Sequence, residues 1–197
     1  TGNGAALTGL ATCKSDNHRS FWLYVKHPEL FDRAGDLDHF ERQVAQAQQH
    51  DLGVKKTPDT SDAALAAMRA DVSAFYQREL QCGDRSKAYV VERSPGVYLL
   101  SVHVKDLSMV QLEFQGDDLK RRVGNPNIHS VLEYSSATGV TRSLVKGGAK
   151  YHQMLLKAFA EHLLHVKLDA HRLLPPTLDL SVLRLGFDVP QAEVDGF

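Results

Sequence analysis

Apolar positions follow a helical period in the first half of the chain. Between residues 36 and 80 they recur every three or four residues, in one stretch that begins near Asp36 and another that begins near Ser61. This spacing collects them on one side of a helix and predicts two helices. Asp36 is the predicted N-cap of the first helix, and Gly83 is the predicted C-terminal stop of the second.

The period changes to two between residues 89 and 145, which predicts strands. Gly- and Ser-rich turns separate five short segments with alternating apolar residues. Short links favour an antiparallel meander. The predicted strands cover 89–91, 97–105, 110–114, 128–134 and 140–145, and residues 116–126 are predicted to form a turn and loop that carries Lys120, Arg121 and Arg122.

The pattern is less regular at both ends of the chain. Residues 1–20 are rich in small and polar types and predict a loop or a flexible N-terminal arm. Phe21–Val25 is a short apolar run, which favours a buried strand that Pro28 ends. Residues 21–197 are expected to form a single domain with a C-terminal extension from about 175, in which 178–187 could add one more strand.

A long amphipathic helix is predicted for residues 149–166, with His162 near the centre of its apolar face. A sheet with one apolar face needs a covering layer, and this helix provides a matching face. The predicted fold class is therefore α+β, with an antiparallel meander of five to six strands packed against a long C-terminal helix and two N-terminal helices.

This order of elements resembles the helix-grip (START-like) arrangement, in which a curved antiparallel sheet wraps a long C-terminal helix. Residues 87–164 also resemble a family of uncharacterised bacterial proteins. The shared features are a Tyr-x4-Gly hairpin (Tyr134 to Gly139), a Lys-Gly-Gly link (Lys146 to Gly148) and a Phe-Ala-Glu helix (Phe159 to Glu161). The resemblance implies a bacterial origin and brings no settled activity with it.

Composition restricts the class of protein. The chain has 197 residues, 43% hydrophobic and 24% charged, which is the balance of an ordinary globular domain. It contains two distant cysteines, Cys13 and Cys82, which predict free thiols in a reducing cytoplasm, with a single disulfide as the alternative. The first residues lack the regions of a signal peptide, and the native protein could continue beyond these residues.

Histidines near the end of the long helix are one candidate for chemistry. His162 and His165 are three residues apart, a spacing that can direct two imidazoles to one metal ion. Glu161 precedes them, but the order Glu-His-x-x-His matches no zincin signature, and Glu161 is predicted to point about 100° away from His162. The alternative is that these histidines pack in or beside the core.

The start of the same helix is a candidate ligand-binding site. Lys146, Gly147, Gly148 and Lys150 lie where free backbone N–H groups and the helix dipole favour an anion. His162, on the inner face of the helix, could orient a ligand in a cavity between the helix and the sheet. The alternative for the glycines is a simple turn with solvated lysines.

Charge is uneven although the net charge is only -1. Residues 142–172 contain six basic and two acidic side chains, which together with Lys120, Arg121 and Arg122 could form a basic patch for nucleic acid. A solvated surface explains the same pattern.

No catalytic motif and no required cofactor emerge from the sequence. His103 and His129 are predicted to point away from the main core, where a second covering layer could bring them to other polar groups. We therefore expect a non-enzymatic binding or interaction domain with a protein partner or a small anionic or apolar ligand. The alternatives are a small-molecule cavity between sheet and C-terminal helix, a nucleic-acid-binding module and, using His162 and His165, a metal-dependent enzyme.

Overall fold

The computed structural model describes residues 2–174, which form an α+β fold as predicted. Five α-helices and eight strands follow one another along these residues. They are α1 (Gly2–Ala11), α2 (Asp16–Lys26), α3 (Pro28–Gln43), β1 (Gln48–Asp51), α4 (Asp62–Leu80), β2 (Ser86–Ser94), β3 (Val97–Lys105), β4 (Met109–Gln115), β5 (Asp118–Gly124), β6 (Asn127–Ser135), β7 (Val140–Leu144), α5 (Ala149–His162) and β8 (His171–Leu173).

Six strands form one antiparallel sheet in the order β2-β3-β6-β7-β1-β8. The predicted meander is confirmed for β2, β3, β6 and β7, but β4 does not join it. It pairs instead with β5 in a separate hairpin, so residues 118–124 are a strand and not the predicted loop. Alternating residues predict a strand without specifying its partner, and here β3 pairs along its whole length with β6.

The main core lies between the inner face of the sheet and the helices α4 and α5. Val102 and Leu132 of the sheet, Met68 of α4 and Phe159 of α5 are all fully buried. The predicted packing of the long C-terminal helix on the sheet is therefore confirmed. A solvent-open groove of about 740 Å³ lies beside this core, lined by α4, α5 and residues of the edge strands β1 and β8 such as His50 and Arg172.

Helix α3 covers the other face of the sheet, a layer that the sequence pattern left undecided. Phe40 of α3 is fully buried against Leu99 of β3 and Val131 of β6. The sheet therefore has helices on both faces, and the polar side chains of its outer face lie beneath α3.

The predictions for the N-terminal region were wrong in three respects. Residues 2–11 and 16–26 form helices and not a loop, and Phe21–Val25 lies within α2 and not in a strand. Asp36 lies inside α3 and does not cap a helix. The Ser15 side chain caps α2, and Pro28 begins α3, so local capping outweighs the strand propensity of a short apolar run.

The helix predicted to begin at Asp36 corresponds to α3, which begins earlier, at Pro28, and ends at Gln43. The helices predicted near Ser61 and at 149–166 correspond to α4 and α5, and α5 ends at His162, four residues before the predicted end. The Ser61 side chain caps α4, which ends at the left-handed residue Gln81 and not at Gly83. Strand β1 was missed because its four residues are polar and carry no hydrophobic period. The possible strand at 178–187 and the extension from about 175 lie outside the described residues.

Among the helices of residues 2–174, none combines the length and the hydropathy needed to cross a bilayer.

Candidate metal centre

Two histidines of the outer sheet face form the base of a polar cluster. His103 of β3 and His129 of β6 are direct partners across neighbouring strands. Cross-strand partners on one face bring their side chains together, and these two rings stack with centroids 4.3 Å apart and planes within 5°. This register explains why both histidines point away from the main core, as the sequence predicts.

Helix α3 adds a carboxylate to this pair. Asp36 is buried, and its Oδ2 accepts a hydrogen bond from His103 Nε2 at 2.9 Å. Its Oδ1 lies 3.6 Å from His129 Nε2. The Tyr89 hydroxyl of β2 also donates to Asp36 Oδ2. One carboxylate therefore joins three strands of the sheet to α3.

The three groups have the spacing of metal ligands. One ligand atom from each of Asp36, His103 and His129 lies within 4.8 Å of the other two. Zinc ligands at about 2.1 Å from the metal, at tetrahedral angles, lie about 3.4 Å from one another. The Asp36 contacts, 2.9 Å from Oδ2 to His103 and 3.6 Å from Oδ1 to His129, lie on either side of that value, so the three groups are near the separations of metal ligands.

The pKa shifts of the cluster favour the protonation states that bind metal. Burial raises the pKa of Asp36, but hydrogen bonds from His103 and Tyr89, with the positive charge that His129 and His103 can carry, outweigh burial and bring it to about 2. Burial lowers the pKa of His129 to about 4, although the Asp36 carboxylate opposes this shift. At neutral pH Asp36 is ionised and His129 is neutral, as metal ligation requires.

One nitrogen in the cluster has no hydrogen bond. His129 Nε2 is buried and lacks a partner among the described residues. A buried polar atom without a partner costs free energy. His39 of α3 lies beside this ring, with centroids 5.0 Å apart, and a bound cation at the cluster would satisfy the unpaired nitrogen.

Asn127 and Tyr89 contact the ligand side chains and can hold them in place. Asn127 Nδ2 lies 3.3 Å from His103 Nδ1, and the Asn127 amide can donate to this nitrogen or, after rotation, accept from it. Rotation would let His103 carry its proton on Nδ1 and present Nε2 to a metal. Burial, followed by the contact with Asp36, raises the pKa of Tyr89, so its phenol stays protonated and holds the carboxylate in place.

A small cleft opens beside the cluster, between α3 and strands β2 and β3. Its volume is about 230 Å³ and its walls are largely apolar. Tyr89 is common to the cleft and to the cluster.

The structure separates the histidines that the sequence placed on one metal. His162 Nε2 contacts Asp71 Oδ2 at 2.7 Å, whereas His165 Nε2 contacts Asp59 Oδ2 at 3.1 Å. The helical spacing ends because α5 stops at His162 and His165 adopts a left-handed backbone, with φ +54°.

His162 also differs in position from the prediction, since its side chain is 25% exposed at the border of α4 and is not central to the core. Glu161 does not point away from it: ligand atoms of Glu161, His162 and Asp71 lie within 4.8 Å of one another. Asp71 and Glu161 are exposed and His162 is partly exposed, whereas Asp36 of the outer-face cluster is buried.

The predicted anion site at the start of α5 is mostly exposed. Gly148 is the N-cap residue of α5, so no side chain caps this helix, and Gly147 has a positive φ of 133°. Lys150 forms an ion pair with Glu79 of α4, so this lysine joins two helices. Lys146 is exposed beside the turn.

Several residues of the predicted basic patch have acidic partners. Arg142 pairs with Glu133, Lys157 pairs weakly with Glu161, and Arg122 pairs with Glu113. Lys120, Arg121 and Arg122 lie on the separate β4–β5 hairpin. Nucleic-acid binding stays a prediction that no contact in the structure favours.

Sequence reasoning missed Asp36 and Tyr89 as members of the cluster. Asp36 had the signal of a helix cap, and Tyr89 had only the alternation of a strand. The only available signal was that His103 and His129 point away from the main core. They form a site only because α3 covers that face of the sheet.

No known protein family matches the chain, and no curated protein matches it significantly.

Proposed function

We propose that this protein is a metal-binding domain that holds one divalent transition-metal ion on Asp36, His103 and His129. The observation that carries the proposal is the convergence of two imidazoles and one carboxylate within 4.8 Å. This interpretation makes the binding domain expected from the sequence more specific, and it moves the metal site from α5 to the outer face of the sheet.

The chemistry of the three ligands narrows the type of metal. Two imidazoles with one carboxylate suit zinc, iron and other first-row transition ions, whereas magnesium and calcium prefer oxygen ligands. Three protein ligands leave at least one coordination position for water or a ligand, which is typical of catalytic zinc sites and not of closed structural ones. A metal here would therefore be open to chemistry.

The surroundings support retention of an ion. Tyr89 and Asn127 hydrogen-bond to the carboxylate and to one imidazole, and such outer-shell contacts orient metal ligands. The ligands come from α3, β3 and β6, so two rigid strands supply the imidazoles and the helix closes the site.

Zinc titration of the metal-free protein tests the proposal. We expect one zinc ion to bind the wild type, and Asp36→Asn and His129→Gln each to weaken binding by at least about 100-fold, because each removes a ligand and loss of even an outer-shell partner costs about 10- to 100-fold. Isothermal titration calorimetry after dialysis against a chelator measures both stoichiometry and affinity.

Matched variants separate this site from other surface groups. Asp38→Asn alters an exposed carboxylate on the same helix, and His165→Gln alters an exposed histidine; both should bind zinc as the wild type does. Asp71→Asn tests the group around His162. Absence of stoichiometric binding, or equal affinity in wild type and Asp36→Asn, would overturn the proposal, and circular dichroism establishes that each variant is folded.

The location and origin predicted from the sequence stay predictions. Cys13 and Cys82 are both buried and unpaired, which agrees with a reducing cytoplasm. A bacterial origin depends on the sequence resemblance alone.

A further inference from the structure

The cleft beside the metal centre has the composition of a small ligand site. Leu30 and Leu37 of α3 face Val91 and Leu99 of the sheet across it, and Ala34 lies at its exposed edge. Most small-molecule sites are apolar with a few polar groups that fix orientation. This cleft has that balance, because only a few polar side chains reach it.

One buried polar group in the cleft has no partner. Ser101 is fully buried, and its Oγ makes no hydrogen bond within residues 2–174. A buried hydroxyl without a partner is costly, and a ligand with a hydrogen-bonding group would satisfy it.

The two arginines of the cleft differ in their partners. Arg93 is held by Glu41 and Glu133, at 2.6 Å from each. Arg33 forms no ion pair with any described carboxylate, and its guanidinium lies over the Tyr89 ring, 5.5 Å from the centroid. The aromatic ring positions this guanidinium, and no described carboxylate pairs with it. Such a guanidinium can bind the carboxylate of a ligand in bidentate geometry.

We infer that this cleft binds a small monocarboxylate with an apolar body, and that Arg33 recognises its carboxylate. The apolar body lies against Leu30, Leu37 and Leu99. A second polar group on that body would pair with the Ser101 hydroxyl; the probe benzoate lacks such a group and tests the Arg33 contact alone. Tyr89 lies between the cleft and the metal centre. The inference rests on the proposed function only where it makes this carboxylate the substrate or co-ligand of the metal.

Volume sets the size of the ligand. A cavity of about 150 Å³ accommodates benzene, so the cleft of about 230 Å³ takes roughly six to ten non-hydrogen atoms. Benzoate, which has a carboxylate on an apolar ring, lies in this range. Benzyl alcohol has nearly the same shape without the charge and is the neutral control.

Binding of the two probes to metal-free and zinc-loaded protein tests the inference. We expect benzoate to bind the metal-free protein, with Arg33→Gln weakening this binding by about tenfold or more, because a hydrogen-bonded charge pair is lost. Benzyl alcohol should be unaffected by Arg33→Gln. Ala34→Leu, at an exposed position on the cleft edge, should weaken both probes because it fills the space. NMR titration measures each affinity.

Arg19→Gln, on an exposed arginine of α2, is the matched control and should bind benzoate as the wild type does. Failure of benzoate to bind either form of the protein, or equal binding by wild type and Arg33→Gln, overturns the inference. Binding that occurs only with zinc and does not depend on Arg33 also overturns it, since the carboxylate then coordinates the metal alone.

Zinc affinity measured on the same samples distinguishes the two proposals. Arg33-dependent benzoate binding without zinc binding supports the cleft and removes the metal centre. Zinc binding without benzoate binding removes the cleft and leaves the metal centre.

Discussion

Phe159→Ala is expected to lower the free energy of unfolding by about 3–5 kcal/mol, the usual cost of removing a buried phenylalanine ring. Phe159 is fully buried on α5 and packs against Tyr134 of β6, with ring centroids 5.2 Å apart. The change removes apolar surface from the core and leaves a cavity between helix and sheet. Because the close-packed surroundings relax only partly into the cavity, the lost apolar burial and the cavity both lower the measured free energy of unfolding.

Urea unfolding followed by circular dichroism measures this loss. Phe114→Ala is the matched control, because Phe114 lies on the β4–β5 hairpin with 76% of its surface exposed, and an exposed change should stay within about 0.5 kcal/mol. Phe159→Leu keeps most of the volume and should cost less than Phe159→Ala. Equal stability of Phe159→Ala and Phe114→Ala would contradict the packing of α5 on the sheet.

The second large effect is acid destabilisation through His152. This side chain is 4% exposed on α5, and its Nδ1 lies 2.8 Å from Ser143 Oγ of β7. Burial, followed by the charges of His50 and Arg172, lowers the pKa of His152 to about 4 from the ordinary value of 6.5. The imidazole is therefore held neutral in the folded protein.

The pH dependence follows from the difference in bound protons. Between pH 6.5 and about 4 the unfolded chain binds a proton at His152 that the folded protein does not, so stability falls as the pH falls. The full contribution is present above pH 6.5, and about 3 kcal/mol is lost by pH 4. His50 of β1 adds to the same trend, because burial and Arg172 also lower its pKa.

His152→Gln removes this titration and isolates the effect. The decrease in unfolding free energy between pH 7 and pH 4 should be about 3 kcal/mol smaller in His152→Gln than in the wild type. His165→Gln, at an exposed histidine, should keep the wild-type slope. Urea unfolding with a chelator present excludes metal effects, and the contribution of His129 is common to all three proteins. An unchanged slope in His152→Gln would refute the assignment.

Much of the fold could be predicted because its signals are local. The apolar stripe after Ser61 predicts α4, the alternation from Val97 to Lys105 predicts β3, and the amphipathic stretch after Gly148 predicts α5. Each of these signals depends only on residues close together in the sequence, within one or two turns of a helix or within a few residues of a strand. The five residues Phe21–Val25 show no period by themselves. Over the whole of 16–26, apolar and polar residues separate onto opposite sides of a helix, and the Ser15 side chain caps its start.

The candidate site could be predicted only in part. Strand alternation placed His103 and His129 on the outer face, which the structure confirms. Asp36 was assigned to a helix cap, because an aspartate before an apolar period has that signal, although it lies inside α3 and contacts both histidines. The pair at His162 and His165 had suitable spacing, but the helix ends between them.

By itself, the amino-acid sequence determined the type of most elements, the inner apolar face of the sheet and the helix that covers it, since these follow from periodicity and propensity. The tertiary structure alone decided that β3 pairs with β6, that α3 covers the outer face and that Asp36 meets two histidines. The physical reason is that these contacts join residues far apart in the sequence, at least 22 positions in the β3–β6 pairing and 67 between Asp36 and His103. Their stability comes from packing of whole surfaces, which no local pattern specifies.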